Sequence, residues 1–399
     1  MNKLNKKIFG ILFFSIFATV TGVGIVVPLL PVYAHDLGAS GIYIALIFAS
    51  FSISRSVFLP YFGRLSDRKG RKPFIVAGLF SYSLISFGFL FADNVQSLII
   101  IRFFHGISSA MMMPVVLAYI GDITPKGREG LTMGLFNMAM FLGLSLGPVA
   151  GGLIKDRFNL NASFICMGML AFIGFLLSYC LLPPQSSETI IHIKKQPETW
   201  KHLVKERSVA ALFIFRFSYA ACIGIIWSFL PVFADTKFSL SSSLIGILAM
   251  TGIFVSGLLH IPMGYLSDRL NKKIMVLSGG LIAGCALFSF VWAKGFNGLL
   301  LANVFFGIGG GLSMSALMAM AVLKGSKTRA MGSIMGLMAM AHSMGMMTGS
   351  IFAGLMMDAF NLRHAFLFGS IIMLLGSVLF FIFTYKKKIE VSSIITQEG

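Results

Sequence analysis

The sequence predicts an all-α membrane protein: twelve transmembrane helices in two pseudo-symmetric six-helix bundles. Three observations carry this. Of 399 residues, 57% are hydrophobic and 12% are charged, against about 25% charged in an ordinary soluble domain. The charges gather between apolar runs of roughly 20 residues, the length needed to cross about 30 Å of hydrocarbon. The chain also repeats itself. Gly63-Arg64-Leu65-Ser66-Asp67-Arg68-Lys69-Gly70-Arg71-Lys72 returns half a chain later as Gly264-Tyr265-Leu266-Ser267-Asp268-Arg269-Leu270-Asn271-Lys272-Lys273. Such self-similarity marks duplicated architecture.

The predicted spans cover about 8–31, 41–62, 74–92, 96–120, 131–154 and 163–182 in the first half. In the second they cover about 209–233, 241–265, 274–293, 297–322, 331–357 and 364–385. Helices are expected, because a closed barrel would show alternating strands of about 10 residues. The domain reading is an N-terminal bundle at 1–182, a cytoplasmic linker at 183–208 and a C-terminal bundle with a short basic tail at 209–399. The linker opens with Pro183-Pro184 and carries Lys194, Lys195, Lys201, Lys205 and Arg207.

The net charge of +18 would suggest nucleic acid in a soluble protein. Here its placement gives a different account. With the N-terminus inside, most Lys and Arg fall in cytoplasmic segments, as the positive-inside rule requires. No nucleic-acid partner is expected. The reading is a multi-pass protein of the plasma membrane with both termini cytoplasmic. Lys3, Lys6 and Lys7 before an apolar run resemble a signal peptide, but the run is long and lacks a clear small-residue cleavage site, so it is read as the first helix. Cys166, Cys180, Cys222 and Cys285 each sit alone in an apolar run, without metal-ligand or redox spacing. They are expected to be buried small hydrophobes.

In chain order, span one ends Gly24-Ile25-Val26-Val27-Pro28-Leu29-Leu30-Pro31. The loop motif after span two holds Gly63, Asp67, Arg68, Gly70 and Arg71. Gly63 would let a neighbouring helix backbone approach closely. Asp67 would sit against the positive N-terminal end of span eleven, near Ala330. The second copy keeps Gly264 and Asp268 but has Asn271 in place of the second glycine. Span four carries Leu98, Arg102, His105 and Gly106. In span five, Gly143, Gly147 and Gly151 recur every four residues along one slowly drifting helix face; Pro148 removes a backbone donor, and Gly152 follows. The plainer reading of these glycines is general close packing of membrane helices. Span eleven repeats the frame, pairing Gly134 with Gly336, Gly143 with Gly345, Gly147 with Gly349, Gly152 with Gly354 and Asp156 with Asp358.

These motifs resemble the major facilitator superfamily, and in particular its twelve-helix drug/proton antiporter branch. The loop matches the family hallmark G-x-L-[AS]-D-R-x-G-[RK]-[RK]. Span one is similar to its G-x-x-x-P-x-x-P pattern, and span five to its G-x-x-x-G-P-x-x-G-G antiporter signature. Span four is close to another antiporter motif, which usually has Gln where His105 stands. The resemblance implies that Asp67, and Arg71 with Asp122, form a latch holding the cytoplasmic side closed. The second copy has no acid equivalent to Asp122, so its latch should be weaker. Arg102 is implicated in proton coupling; the plainer reading is that it holds backbone carbonyls.

Ionisable side chains inside a membrane are costly and are functional candidates by default. Arg55, Arg102, Arg216, His105, His260 and His342 qualify, while no acid lies inside an apolar run. A carboxylate-lined cavity for cationic drugs therefore has little support. Histidine can carry a coupling proton near neutral pH, although His260 can also simply bond a nearby carbonyl. Methionines crowd spans ten and eleven, where they suit either packing or a surface for varied ligands. No Walker loop, zinc helix or nucleophile elbow appears, so no enzyme is expected.

The functional expectation is a secondary active transporter working by alternating access. It would perform proton-coupled efflux of small amphiphilic organic molecules or drugs, without a cofactor and as a monomer, the proton gradient being the driving force. Two alternatives remain at this point: a symporter or exporter for an organic anion, drawn by the three arginines, and a non-transporting sensor, expected to carry a soluble signalling domain. The site candidates outside the latch and the span-five motif are Pro28, Pro31, Arg55, Arg102, His105, Arg216 and His342.

Overall fold

In the computed structural model, the described residues are 3–125, 129–183, 206–328 and 331–385, and among them every regular element is a helix. Most of the basic linker lies outside the described residues, as do the side chains of Asp67 and Asp268.

Span one is two helices, Lys3–Val26 and Leu29–Asp36, parted at Val27-Pro28, where proline withholds a backbone donor. The remaining first-half spans are Gly41–Lys69, Arg71–Gly88 with a 3-10 turn at Phe89–Phe91, Val95–Ile123, Glu129–Arg157 and Leu160–Leu181. The second half has Arg207–Phe238, Ser242–Arg269, Lys272–Phe290, Phe296–Thr328, Met331–Ala359 and Leu362–Thr384. Eleven of the twelve spans are long and apolar enough to cross a membrane. Span eleven, at 29 residues, completes the set.

The helices outrun the apolar stretches. Span two continues through its polar end to Lys69, because the backbone ladder does not stop where the hydrocarbon does. Short connections at the end opposite the loop motifs start with polar caps. Asn94, Ser241 and Asn361 accept from the backbone N–H of Ser97, Leu244 and Arg363, and Asn159 accepts from Ala162. That end is called the far end below; the end with the loop motifs is the basic end.

The two halves pack alike. Span one lies on five and six, two on four, and three on four and six; in the second half seven lies on eleven and twelve, eight on ten, and nine on ten and twelve. Between the halves, span five meets eight and span two meets eleven. Each half thus contributes two helices, each paired with one of the other half. Of the cysteines, Cys222 is buried, Cys166 is half-buried, and Cys180 and Cys285 are exposed on helix surfaces. The expectation of four buried thiols is corrected for those two. Exposed thiols on an apolar helix face are packed by lipid, not protein.

Candidate functional site

The glycine frame of span five makes its close contacts with span one. A side chain at Gly147 would meet the Gly24 Cα and the Thr21 carbonyl, each at 2.6 Å, and Gly143 lies against the Thr21 backbone at 3.0 Å. Gly151 rests on the Ile25 backbone and Gly152 on that of Ser242 in span eight. The helix runs on through Pro148. Span eleven repeats the arrangement, with Gly345 against the Phe217 carbonyl, Gly349 against Ala221, and Gly354 on Gly41 of span two.

Of these contacts, Gly152 on Ser242 and Gly354 on Gly41 join the halves at the far end, where two carboxylates secure it. Asp358, at the end of span eleven, accepts from the backbone N–H of Gly41 at 2.6 Å and of Ile42 at 2.9 Å. Asp156, at the end of span five, accepts from the N–H of Ser242 at 3.1 Å and of Ser243 at 2.8 Å, and from the Ser243 hydroxyl at 2.5 Å. Each acid satisfies orphan donors at the start of a helix in the other half, where the helix dipole favours negative charge. Sequence reasoning paired these two aspartates by the repeat but gave them no role. The signal was present: each lies in a duplicated frame, and the helices they cap start at matching positions of the repeat.

The basic end is arranged differently. Among the described residues, nothing lies within 4 Å of where a Cβ would sit on Gly63 or on Gly264. The stretch near Ala330, at the start of span eleven, lies outside the described residues. Arg71 Nε meets Asp122 Oδ2 at 3.2 Å, and its Nη1 donates to the Ser66 hydroxyl at 2.9 Å, while Ser66 donates to the Gly63 carbonyl at 2.8 Å. Asp122 therefore meets the motif, with both partners belonging to the first half. Gly70 has φ 88, in the region that favours glycine. Its counterpart Asn271 has φ −69 and caps Lys273 N–H instead, so the departure from glycine changes the turn. In the second copy Ser267 donates to the Gly264 carbonyl at 2.7 Å and Arg269 stacks over Tyr265 at 4.4 Å. The positions of the Asp67 and Asp268 carboxylates and of Arg68's charge partners lie outside this account.

Between these ends lies an apolar pocket lined by residues of both halves. Its lining includes Gly24 and Pro28 of span one, Leu144 and Pro148 of span five, Trp227 and Pro231 of span seven, and Ile253 of span eight. Both the span-one and the span-five motifs therefore reach it. Pro31 is buried nearby in the packing. A family model described as Major Facilitator Superfamily matches residues 12–236 and again 212–398.

The chain belongs to the Major Facilitator Superfamily. It is 31% identical over 376 residues to an uncharacterized MFS-type transporter of Methanocaldococcus jannaschii, covering 93% of this chain and 96% of that one. It is 28% identical over 396 residues to Multidrug resistance protein 2 of Bacillus subtilis, covering 96% of each. Among solved structures, a bacterial homolog of the human lysosomal transporter Spinster, inward-facing and unoccupied, superposes with TM-score 0.83 at 13% identity, covering 96% of this chain and 97% of that one. It is a multi-pass membrane transporter by family, acting on small molecules.

The remaining candidates of this superfamily member divide into two groups. Arg102 is 5% exposed, with its guanidinium 4.4 Å from the Phe51 ring and 5.7 Å from that of Phe48. His105 is fully buried, stacked on Tyr82 at 4.3 Å with Nε2 3.1 Å from the Ser86 hydroxyl. Both are packed inside spans two to four. Arg55, Arg216, His260 and His342 are half-buried on the spans that meet across the halves. Arg216 Nη1 contacts the Met314 sulfur at 3.0 Å. His260 donates from Nδ1 to the Ser256 carbonyl, and its ring lies 4.9 Å from Phe141 of span five.

Proposed function

We propose that this chain is a proton-coupled antiporter exporting small amphiphilic organic molecules across the plasma membrane by alternating access. The observation that carries the reading is the apolar cavity between the halves, walled by the same Gly24, Pro28 and Pro148 that belong to the antiporter-like motifs. Its lining is apolar and comes from both halves, the character expected of a site for amphiphilic molecules. Similarity to a protein named for multidrug resistance supports drug-like cargo. The basic end is read as cytoplasmic, so the far end, where Asp358 and Asp156 hold the halves together, is read as the outer side. His260 and His342, half-buried on the spans between the halves, are suited to carry the coupling proton. The driving force is the proton gradient, with no cofactor, and one chain suffices.

A substrate screen in proteoliposomes with an imposed pH gradient tests this. Expected is accumulation of at least one amphiphilic dye, abolished by a protonophore. Failure of every amphiphile to respond to the gradient overturns the proposal. Orientation is checked separately, with native cysteines removed and single cysteines at Ser40 and Ser187. An impermeant thiol reagent applied to intact cells should label Ser40→Cys and spare Ser187→Cys.

A further inference from the structure

Three basic side chains from three spans reach one level of the protein, and none has an acid beside it. Span two runs antiparallel to span eleven, with Gly354 seated on Gly41 and a Cβ there 3.0 Å from the Ala45 Cβ. Counting from that contact at ~1.5 Å per residue, Arg55 and His342 lie at similar depth, roughly 20 Å below the far end. Spans seven and eleven run parallel, and Gly345 rests on the Phe217 carbonyl and the Ala220 side chain. His342, one turn before Gly345, is therefore level with Arg216. The charges of Arg55 and Arg216 both act on His342, and that of Arg216 also acts on His260. Arg55 Nε, Arg216 Nε and His342 Nδ1 are buried without a hydrogen-bond partner. The Met314 sulfur that Arg216 touches is a weak acceptor. The acids on spans seven and eleven, Asp235 and Asp358, sit at their far ends, and Asp67 sits at the basic end of span two. Cations held this way inside a membrane are costly unless something supplies the missing charge.

The same helix faces continue into the apolar cavity. Trp227 lies three turns beyond Arg216 on span seven, and Ile253 two turns beyond His260 on span eight; Pro148 lies two turns beyond Phe141, whose ring touches His260. Arg216 and the apolar pocket at Trp227 thus share one helix face, about 16 Å apart along it.

We infer that this transporter's ligand is an amphiphilic organic anion, its anionic head seated between Arg55, Arg216 and His342 and its apolar body in the chamber beside Trp227 and Pro148. The inference rests on the export reading for its cargo, but the seat itself is a binding claim. An anion gains two charge-assisted contacts where the protein leaves donors unpaired, while a cation of equal size meets like charge without a counter-ion.

The test uses full-length protein in phosphatidylcholine nanodiscs and two probes with one tail, decanesulfonate and decyltrimethylammonium, titrated calorimetrically. Wild type should bind the sulfonate at least about tenfold more tightly, the size of one charge-assisted contact. Arg55→Gln and Arg216→Gln should each lose about tenfold for the sulfonate and nothing for the ammonium. Arg216→Lys, which keeps the charge, should recover much of the loss. Competition by lysophosphatidylglycerol over lysophosphatidylcholine supports the seat with a lipid as its natural occupant; competition by short-chain sulfonates alone supports it with a soluble one. Equal binding of both probes, or unchanged sulfonate affinity in folded Gln variants, overturns it. If a Gln variant does not fold, the comparison of the two head groups on wild type decides. Binding here needs no gradient, so the two readings fail separately. A protein that binds the sulfonate yet moves nothing against a pH gradient refutes export and keeps the seat. One that exports the quaternary ammonium and ignores the sulfonate does the reverse.

Discussion

The far end and the basic end of the molecule are built from the same two helix pairs, and among the described residues the backbone and carboxylate contacts of these pairs lie at the far end. At the far end, spans two and eleven touch backbone to backbone at Gly41 and Gly354, and Asp358 bonds two N–H groups of span two. At the basic end of the same span, Gly63 has nothing within 4 Å. Spans five and eight repeat the contrast, with Gly152 on Ser242 and Asp156 on the start of span eight, against a bare Gly264. Asp358 and Asp156 each end a helix and bond the start of its partner. Asp67 and Asp268 stand in the corresponding place at the other end by sequence. The lesson is that a carboxylate on a helix N-terminus joins the halves at the far end in both copies of the repeat.

The largest effect should come from filling a glycine in the tight seam between spans one and five. Gly147→Leu must displace the Gly24 and Thr21 backbone, each 2.6 Å from the first added carbon. Overpacking costs about 1–3 kcal/mol where side chains give way, and backbone gives way less. Expected is inserted protein with little coupled transport. Gly264→Leu, with open space around it, should keep its fold and most of its transport. Comparing the two by melting temperature and vesicle uptake tests the contrast directly; equal tolerance would erase it.

Next in size are the far-end acids. Asp358→Asn and Asp156→Asn each keep one acceptor and lose the charge, at a cost of about 1–2 kcal/mol in a partly buried helix-terminus geometry. That corresponds to a shift of roughly 5–30-fold in population. Spin labels at Ser40 and Phe360 should report a second, longer distance in either variant, growing in the double variant. A single unchanged distance would show that the glycine contacts alone hold the end shut.

How far the sequence disclosed this follows from what each signal depends on. The twelve spans and the repeat were legible, because hydropathy and self-similarity are properties of the chain by itself. So was the tight packing of Gly143, Gly147 and Gly151, since a row of glycines on one face has few other uses. Which helix they meet was not legible, because span one and its Gly24 are chosen by the tertiary arrangement. Arg102 and His105 stood out as charges in a span, but the rings of Phe51 and Tyr82 that cover them come from other helices. The far-end role of Asp156 and Asp358 depends on the conformation. The sequence places an acid at each end, and the fold joins the halves through Asp156 and Asp358 at the far one.

Asp67→Asn should act in the opposite sense to Asp358→Asn and more weakly. A helix-terminus contact at an exposed end is worth about 0.3–1 kcal/mol, so the far-end-closed population should rise only a few-fold. The same spin-label pair would show the longer distance diminishing, and transport would slow as the reverse conformation becomes scarcer. A shift toward the longer distance would place Asp67 outside any basic-end latch.

The smallest effect concerns the ion pair between Arg71 of the first motif copy and Asp122. Arg71 and Asp122 are 3.2 Å apart with side chains 13% and 34% exposed, so solvent and salt weaken the pair. Exposed pairs are worth about 0.2–1 kcal/mol, and Asp122→Asn should cost no more. Arg71 also holds the Ser66 hydroxyl at 2.9 Å, a contact that Asp122→Asn leaves intact, so the loop should keep its turn at Gly70. The second copy provides the control. Lys272 stands where Arg71 does, and Leu323, 50% exposed, stands where Asp122 does, so that copy works without the pair. Transport by Asp122→Asn should match wild type in high salt and fall below it only at low ionic strength, where the Debye length grows to about 30 Å. A loss that persists in high salt would mean that Asp122 acts through the fold of the loop and not through its charge. The two motif copies would then differ in structure and not merely in electrostatic strength.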